Sequence, residues 1–230
     1  HYKEFSKILT GKETDEEYDN KWEDWRKSLV PITKEINEWN WIKAMIRRKE
    51  DIGNIYQEIV NKFLKDFIFI TISETNRDII YVYKDGIYHD SGSKLISDIL
   101  EINLDKHCKT SLVVEVINKI ARSTRANEIG VVNCNFICLE NGIYDIENKE
   151  LINFDSKHQF MSKIPVAFDK YATCSKIIRF LNETFEEKDI SLIQEWFGFL
   201  LYREYFIKKA LVLIGPKDTG KTTFMNLVNK

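Results

Sequence analysis

The spacing of apolar residues predicts helices over the first 65 residues of the chain. One stripe repeats at steps of four, three and four, which places its members on a single helix face: Tyr18, Trp22, Trp25 and Leu29. Pro31 interrupts that run. A second stripe alternates steps of three and one, the spacing of an amphipathic helix: Ile52, Ile55, Tyr56, Ile59, Val60, Phe63 and Leu64. We therefore predict a helical segment over residues 1–65.

Most of the tryptophans lie in this helical segment: Trp22, Trp25, Trp39 and Trp41. Two interpretations of the cluster remain open. The periodicity of these residues favours aromatic packing between helices. Clustered indoles would also suit a surface on which nucleic-acid bases stack.

Near Phe67 the pattern changes from helix to strand. The segments "FIFITI" and "DIIYVYKDGIYHD" are rich in β-branched and aromatic residues, and Gly86 is the glycine that a tight hairpin turn between two strands requires. Ser93 is a candidate cap for the first of two following helices, whose apolar positions are Leu95, Ile96, Ile99 and Leu100, then Val113, Val116, Ile117 and Ile120. A hairpin beside short helices resembles a winged-helix type of module.

Residues 129–154 return to strand-like segments, "IGVVNCNFICL", "ENGIYDI" and "ENKELINF", with a turn signal at Asn141–Gly142. From Cys174 onward the spacing is helical again: Ile177, Ile178, Phe180 and Leu181, then Leu192, Ile193, Trp196, Phe197 and Leu200. No linker rich in proline, glycine or serine divides the chain. The predicted boundaries therefore follow the changes of period: a helical segment over 1–65, a mixed α+β region over 66–210, and a distinct last segment over 211–230.

The last segment contains "GPKDTGKT", which matches the pattern G-x-x-x-x-G-K-[ST] from Gly215 to Thr222. Such a loop turns successive backbone N–H groups toward phosphates, and its lysine brings a positive charge to the β- and γ-phosphates. The hydroxyl that follows the lysine is offered to Mg²⁺. The predicted ATP-binding residues are Gly215, Pro216, Lys217, Asp218, Thr219, Gly220, Lys221, Thr222 and Thr223, with Lys221 as the catalytic residue and Thr222 as the metal ligand.

The residues around this loop have the strand–loop–helix order that a phosphate loop needs. The apolar run "ALVLIG" before it predicts a strand buried on both faces, over residues 211–214. After it, Phe224, Leu227 and Val228 have helical spacing. A chance match to the pattern in a chain of this length is on the order of one per cent. We predict that Lys221 is exposed and that ATP and Mg²⁺ are the ligands of the loop.

Composition narrows the classes of function. The chain has 230 residues, 43 % of them hydrophobic, and a formal net charge of −2, so a sizeable core can form and any basic surface must be local. Its four cysteines are too few and too scattered for a disulfide scaffold, and no apolar run approaches the ~20 residues that span a bilayer. We expect a cytoplasmic protein, in the host cytoplasm if it is viral. Because the chain begins with His1 and ends eight residues after Thr222, we also expect it to be a piece of a longer protein.

Several segments before the loop resemble the region that leads into the ATPase of phage, plasmid and poxvirus-type primase-helicases: "LENGIYDIENKEL", "IPVAFD", "CSKIIRFLNETF" and "LIQEWFGFLLYREYFIKKALVLIGPKDTGKTT". The earlier "YVYKDGIYH" and "VINKIARST" resemble the start of the same accessory domain. These proteins are superfamily 3 DNA helicases, relatives of the AAA+ ATPases. The resemblance covers roughly residues 67–230 and is tightest from Leu139 onward.

The resemblance implies an α/β (α+β) fold class: a helical N-terminal segment, a mixed α+β winged-helix-like or collar region, then the first strand, P-loop and helix of an AAA+-like ATPase. It implies an ATP-dependent replicative DNA helicase that forms a ring, usually a hexamer, on single-stranded DNA, with a primase domain on many such polypeptides. Lys221 matches the phosphate-binding lysine of the family and Thr222 its Mg²⁺ ligand. The acidic pair, sensor and arginine finger of the family cannot lie in the eight residues after Thr222, so we expect this chain alone to be inactive as an ATPase.

Outside the loop, three basic residues near the end of a predicted helix are candidate DNA-binding residues: Lys119, Arg122 and Arg125. Contacts with phosphates are one interpretation, and a solvated face that offsets the helix dipole is the other. Cys134 and Cys138 are four residues apart without a second close pair, which favours buried thiols over a zinc site.

Two further functions compete with the helicase prediction. The chain could be a non-enzymatic DNA-binding and oligomerisation module of a replication protein. It could also belong to another class of P-loop enzyme, such as a small-molecule kinase or a GTPase. The last class is disfavoured because such enzymes usually begin with the P-loop strand, whereas about 210 residues precede it here.

Overall fold

A computed structural model describes residues 35–75, 77–204, 206 and 208–228. The predicted helical stripe that includes Trp22 and Trp25 lies outside these residues. Contacts divide the described chain into two compact units, which are residues 35–132 with 155–162 and residues 133–154 with 163–228. The predicted domain boundaries after residues 65 and 210 stay predictions, because contact density does not show which pieces fold alone.

Two helices begin the first unit, α1 (Glu35–Arg47) and α2 (Ile52–Asp66). The side chain of Asp51 caps α2, since its Oδ2 accepts a hydrogen bond from the backbone N–H of Asn54 at 3.2 Å. The second predicted stripe is confirmed as the buried face of α2, with Ile55, Ile59, Val60 and Phe63 inside. Only the ends of the stripe, Ile52 and Leu64, are exposed.

A four-stranded sheet in the order β3-β2-β1-β4 follows, with the strands β1 (Phe69–Ser73), β2 (Asp78–Lys84), β3 (Ile87–His89) and β4 (Arg125–Ala126). The pairs β1–β2 and β2–β3 are antiparallel, whereas β4 lies parallel to β1. The predicted hairpin is confirmed: Asp85 and Gly86 alone connect β2 to β3, with φ angles of 49° and 90°. Positive φ at both positions gives the turn a twist that matches the strands, and glycine adopts it without steric cost.

The remaining helices of this unit are α3 (Gly92–Leu104) and α4 (Thr110–Ser123), with a short 3₁₀ turn between them (Asp105–His107). The predicted cap of α3 is wrong by two positions, because the helix begins at Gly92 and the residue before it is Ser91. All four helices and the sheet contribute to one core: Trp39, Ile42, Met45, Ile55, Ile59, Val60, Phe63, Phe69, Ile80, Val82, Leu95, Ile96, Ile99, Leu100, Leu104, Leu112, Val116, Ile120 and Ala121.

The second unit contains an antiparallel three-stranded sheet in the order β5-β6-β7, with the strands β5 (Phe136–Leu139), β6 (Gly142–Asp145) and β7 (Glu150–Ile152). The predicted strand from residue 129 shortens to β5, and the turn at Asn141 is confirmed. Three helices complete the unit: α5 (Ser175–Thr184), α6 (Glu187–Leu200) and α7 (Lys221–Val228).

The mixed α+β class is confirmed over the described residues, which form seven α-helices and two small sheets. The predicted strand at 211–214 is wrong, since the described residues between α6 and α7 contain no strand. A strand of a parallel sheet needs neighbours for its backbone hydrogen bonds, and the described part of this unit provides none there. The winged-helix-like arrangement stays a prediction. No helix of the described residues is long and apolar enough to cross a membrane.

Candidate phosphate-binding loop

The predicted loop lies immediately before α7, whose first residue is Lys221. Two residues of the loop have left-handed backbones, Asp218 with φ of 63° and Gly220 with φ of 85°. Glycine adopts such an angle freely, so the chain turns sharply into the helix at Gly220. The turn is closed by Thr219, whose Oγ1 donates to the carbonyl of Pro216 at 2.9 Å. The second glycine of the motif, Gly220, is therefore placed where the backbone changes direction.

Lys221 folds its side chain back over this loop. Its Nζ donates to the carbonyl oxygen of Gly215 at 2.9 Å, to Thr219 Oγ1 at 3.1 Å, and to the carbonyl oxygen of Pro216. Lys221 is half-buried, and the prediction that it is exposed is wrong. The physical reason is that its stem covers the loop while its ammonium is held by three oxygens of the loop.

The loop carries donors of the kind that bind an anion, an ammonium and backbone N–H groups. A Cβ placed on Gly215 would lie 3.5 Å from Thr219 Oγ1 and 4.0 Å from Lys221 Nζ, so a side chain there would enter the space around the ammonium. The backbone N–H groups of Gly220, Lys221 and Thr222 donate to no acceptor in the described part of the chain. Three amides at the start of a helix, next to an ammonium, fit a phosphate group.

The other predicted ATP-binding residues lie in the loop and at the start of α7. Thr222 is exposed at the second position of α7. The remaining predicted residues are exposed on the loop or on the first turn of α7: Pro216, Lys217, Asp218 and Thr223. Their contact with nucleotide stays a prediction.

One aromatic residue anchors α7. The ring of Phe224 is fully buried against Leu181 of α5 and Ile193 of α6. Three aromatic rings surround it with centroids 5.1 to 6.4 Å away: Phe185, Trp196 and Phe197. Edge-to-face and tilted contacts at these distances add to the gain from burial. The start of α7, which carries the lysine, is thus fixed by packing on the two preceding helices.

The end of α5 also supports the loop, which the sequence did not predict. A Cβ on Gly220 would lie 3.2 Å from both Oγ1 and Cγ2 of Thr184, and 3.5 Å from the ring of Phe180. No spacing rule relates residues about 40 positions apart, so the sequence gives no signal for this contact.

The three candidate DNA-binding residues lie on two different elements. Lys119 and Arg122 lie on the last turns of α4 as predicted, but Arg125 is on β4 and not at the helix end. Arg122 Nη2 is 3.1 Å from Glu115 Oε1, and Arg125 Nη2 is 2.8 Å from Asp78 Oδ2. Hydrogen bonds from Ser73 and then from Arg125 lower the pKa of Asp78. Two of the three cations therefore already have acidic partners.

Cys138 in β5 and Cys134 just before this strand differ in their burial and contacts. Cys138 is buried as predicted, and burial raises the pKa of its thiol. Cys134 precedes β5 and is only half-buried, with its Sγ 3.0 Å from Oη of Tyr202, so the prediction of two buried thiols is wrong for this residue. That hydrogen bond, together with burial, raises the pKa of Tyr202. Within the described residues, no group of three or more His, Cys, Asp or Glu side chains could hold a metal ion.

Comparison with known proteins identifies the family of the chain. The family described as D5 N terminal like matches residues 6–186, well over half of the sequence. The match ends before the loop at Gly215, so the loop rests on its own motif and geometry. No curated protein matches the chain. This domain is the N-terminal region of D5-like primase-helicase proteins, which confirms the predicted relationship to viral and phage replication proteins at the level of the family. The chain belongs to the D5 N-terminal-like family.

Proposed function

We propose that the chain is part of an ATP-dependent replicative DNA helicase of superfamily 3, and that residues 215–222 bind the phosphates of ATP. The observation that carries this proposal is the loop itself. A complete G-x-x-x-x-G-K-T motif leads directly into a helix that begins at its lysine, with three N–H groups that have no acceptor in the described chain and an ammonium that lies over the loop. The family match supports the setting in replication.

Each group of the loop has a role in this proposal. The N–H groups of Gly220 to Thr222 donate to phosphate oxygens, and the N-terminal end of α7 adds its positive dipole. Lys221 exchanges the carbonyls of Gly215 and Pro216 for the β- and γ-phosphates. Thr222 orients Mg²⁺ through its hydroxyl. Binding of ATP therefore requires the ammonium to leave its present acceptors, which are neutral carbonyls and a hydroxyl and hold it less strongly than a phosphate does.

Binding of a fluorescent ATP analogue to the 230-residue chain in the presence of Mg²⁺ tests the loop directly. We expect Lys221→Ala to weaken binding by at least 10-fold, because a charge-assisted hydrogen bond contributes about 1.5–3 kcal/mol. Lys209→Ala removes an exposed lysine that precedes the loop and is the matched control, with binding unchanged. Equal affinities of the wild type and Lys221→Ala would refute the assignment of the loop.

In the complete protein, Lys221→Ala should abolish ATP-driven unwinding and leave the fold intact, since the hydrogen bonds of the Lys221 side chain all go to oxygens of its own loop. A strand-displacement assay, with circular dichroism as the folding control, measures both. Unwinding by the variant at a rate close to that of the wild type would show that this loop does not drive the motor.

A non-enzymatic DNA-binding and oligomerisation module is the second candidate function. The family match favours it in one respect, because that match covers the first unit and ends at residue 186, before the loop. The two candidates differ in nucleotide binding. A chain that binds DNA but no ATP analogue would support the module and exclude the helicase assignment of the loop.

A further inference from the structure

The two tryptophans of α1 face opposite environments. Trp39 is 5 % exposed and packs edge-to-face on Phe63, with ring centroids 6.1 Å apart. Trp41, two positions later, is 53 % exposed. A large aromatic side chain that stays half in water gains little from the core, and it offers part of its ring to a ligand.

Basic residues share the exposed face of α1 with Trp41. At 100° per residue, positions 40, 41, 44, 47 and 48 fall within one third of the circumference. We call these five residues the Trp41 face: Asn40, Trp41, Ala44, Arg47 and Arg48. Arg48 lies over the indole, with its guanidinium carbon 5.8 Å from the ring centroid. The side chain between them, Ala44, is small, and about half of the Trp41 side chain stays exposed beside Arg48.

The cations of the Trp41 face are largely uncompensated. Within the described residues, Arg47 has no ion pair, and the one partner of Arg48 is Glu50 at 3.9 Å. The acid of α1 that is described, Glu38, is engaged elsewhere by Lys62 at 2.8 Å and Lys65 at 3.1 Å. Cations at the end of a helix also offset its dipole. Compensation of the helix dipole does not require that Arg48 lie over the exposed indole of Trp41.

We propose that the Trp41 face binds single-stranded nucleic acid, with one base stacked on Trp41 and the neighbouring phosphates held by Arg47 and Arg48. An indole face, a guanidinium that can lie parallel to a base, and uncompensated positive charge are the features of sequence-tolerant single-strand recognition. A duplex keeps its bases stacked on each other and presents no free base to an indole. The site is thus selective for single strands, and it works without nucleotide in the loop.

The end of α4 is the competing basic surface, and it is less suitable. Arg122 and Arg125 already contact carboxylates at 3.1 and 2.8 Å, so phosphates would have to displace these partners. No exposed aromatic side chain is present on the last turn of α4. The Trp41 face combines a cation without an ion pair in the described chain, Arg47, with an exposed aromatic side chain, whereas the last turn of α4 has no aromatic side chain.

Fluorescence anisotropy with a labelled oligothymidylate of about 16 nucleotides, the upper site size of a single-strand-binding fold, tests the proposal on the 230-residue chain. Trp41→Leu keeps the apolar bulk and removes the ring, and we expect binding to weaken about 5-fold or more, the effect of losing one stacked base. Trp41→Phe keeps a ring and should stay within about 3-fold of the wild type. Ile102→Ala, at an equally exposed apolar residue of α3, is the matched control and should change nothing.

Salt dependence separates charge from stacking. Arg47→Gln should weaken binding and reduce the slope of log affinity against log salt by about 0.7, the value for one phosphate contact on a single strand. Trp41→Leu should weaken binding with no change of slope. Lys221→Ala should change neither the affinity for the oligonucleotide nor its salt slope. A failure of the ATP-binding assignment can therefore be distinguished from a failure of the proposed nucleic-acid site on the Trp41 face.

Three results would overturn the proposal. One is wild-type affinity of Trp41→Leu. Another is equally good competition by a duplex of the same sequence. The third is a loss of binding in Arg122→Gln without any loss in Arg47→Gln, which would move the nucleic-acid site to α4. Thermal unfolding of each variant excludes misfolding as the cause of a weaker affinity.

Discussion

The two compact units differ most in how they bury their apolar residues. The first unit has a continuous core to which its helices α1–α4 and its four-stranded sheet all contribute. The helical part of the second unit has three fully buried residues, Leu181, Ile193 and Phe224. It leaves large side chains in water, among them Val212 at 71 % and Ile214 at 92 % exposure. The apolar content of the two sequences is similar, so composition does not explain the difference.

The two units differ in whether their apolar residues find packing partners within the same unit. In the first unit every amphipathic stripe has a partner in the same unit, and the pattern specifies a core. In the second unit the run "ALVLIG" is apolar on both faces, as a central strand would be, yet it forms no strand in the described chain. Leu211 and Leu213 pack on the cluster around Phe224, whereas Val212 and Ile214 are exposed. The loop and α7 are therefore held by the small apolar cluster around Phe224 and not by a sheet. Local stability commonly differs in this way between a scaffold and a surface loop.

The largest expected loss of stability comes from a substitution in the core of the first unit. Phe63 is 1 % exposed and contacts Trp39 and Phe67. We expect Phe63→Ala to lower the free energy of unfolding by about 3–5 kcal/mol, because it removes a buried ring and leaves a cavity. Urea unfolding followed by circular dichroism measures the change. Leu64→Ala on the same helix, at a residue 39 % exposed, is the control and should cost far less. Equal losses would mean that the core of α2 is not organised as described.

The second prediction removes the anchor of the loop. Phe224→Ala should loosen α7 and abolish tight packing of the loop without lowering the stability of the first unit, because Phe224 belongs to a separate apolar cluster. Hydrogen exchange resolved along the chain should show faster exchange over 211–228 and unchanged exchange over 79–123. Phe206→Ala, at a ring that is 66 % exposed, is the matched control. Slower folding or faster exchange throughout the chain would contradict the division into two units.

The wild-type chain should already show a difference in hydrogen-exchange rate between the first unit and the loop segment. We expect slow exchange in the elements with buried cores and fast exchange at 211–222, where backbone N–H groups before and at the start of α7 have no acceptor in the described chain. Uniformly slow exchange through the end of α7 would show that something else holds this segment. Addition of an ATP analogue should slow exchange at Gly220 to Thr222 if their amides bind phosphate.

Sequence reasoning succeeded where a local rule applies. The stripe from Ile52 to Leu64 gave the correct helix and face, and the dipeptide Asp85–Gly86 gave the correct turn, because both depend on neighbours along the chain. It was wrong at 211–214, since an apolar run forms a strand only with partners. It also placed Lys221 in solvent, because the acceptors of an ammonium within its own loop follow from backbone turns that spacing does not reveal. The contact of Thr184 with Gly220 and the different exposure of Trp39 and Trp41 are likewise tertiary facts.

The smallest expected effect concerns the ionic contacts that join α1 to α2. Hydrogen bonds from Lys62 and then Lys65 lower the pKa of Glu38 from 4.5 to about 2. Burial disfavours the ammonium of Lys62, but its hydrogen bonds with Asp66 and Glu38 outweigh that penalty and raise its pKa. Because the pKa of Glu38 is lower in the folded state, its contribution to stability is complete above about pH 4.5 and is lost as the pH falls toward 2.

Acid unfolding of Glu38→Gln tests these contacts. Glu38 is 46 % exposed, so solvent screening limits the contribution to below about 1 kcal/mol. Urea unfolding at pH 5.5 and pH 3 should therefore give a smaller loss of stability on acidification for Glu38→Gln than for the wild type, with the difference in this range. Glu58→Gln, at an exposed residue of α2 without an ion pair in the described chain, should behave as the wild type. If both variants and the wild type lose the same stability between the two pH values, Glu38 does not join α1 to α2. The orientation of the Trp41 face would then depend on apolar packing alone, through Trp39 and Phe63.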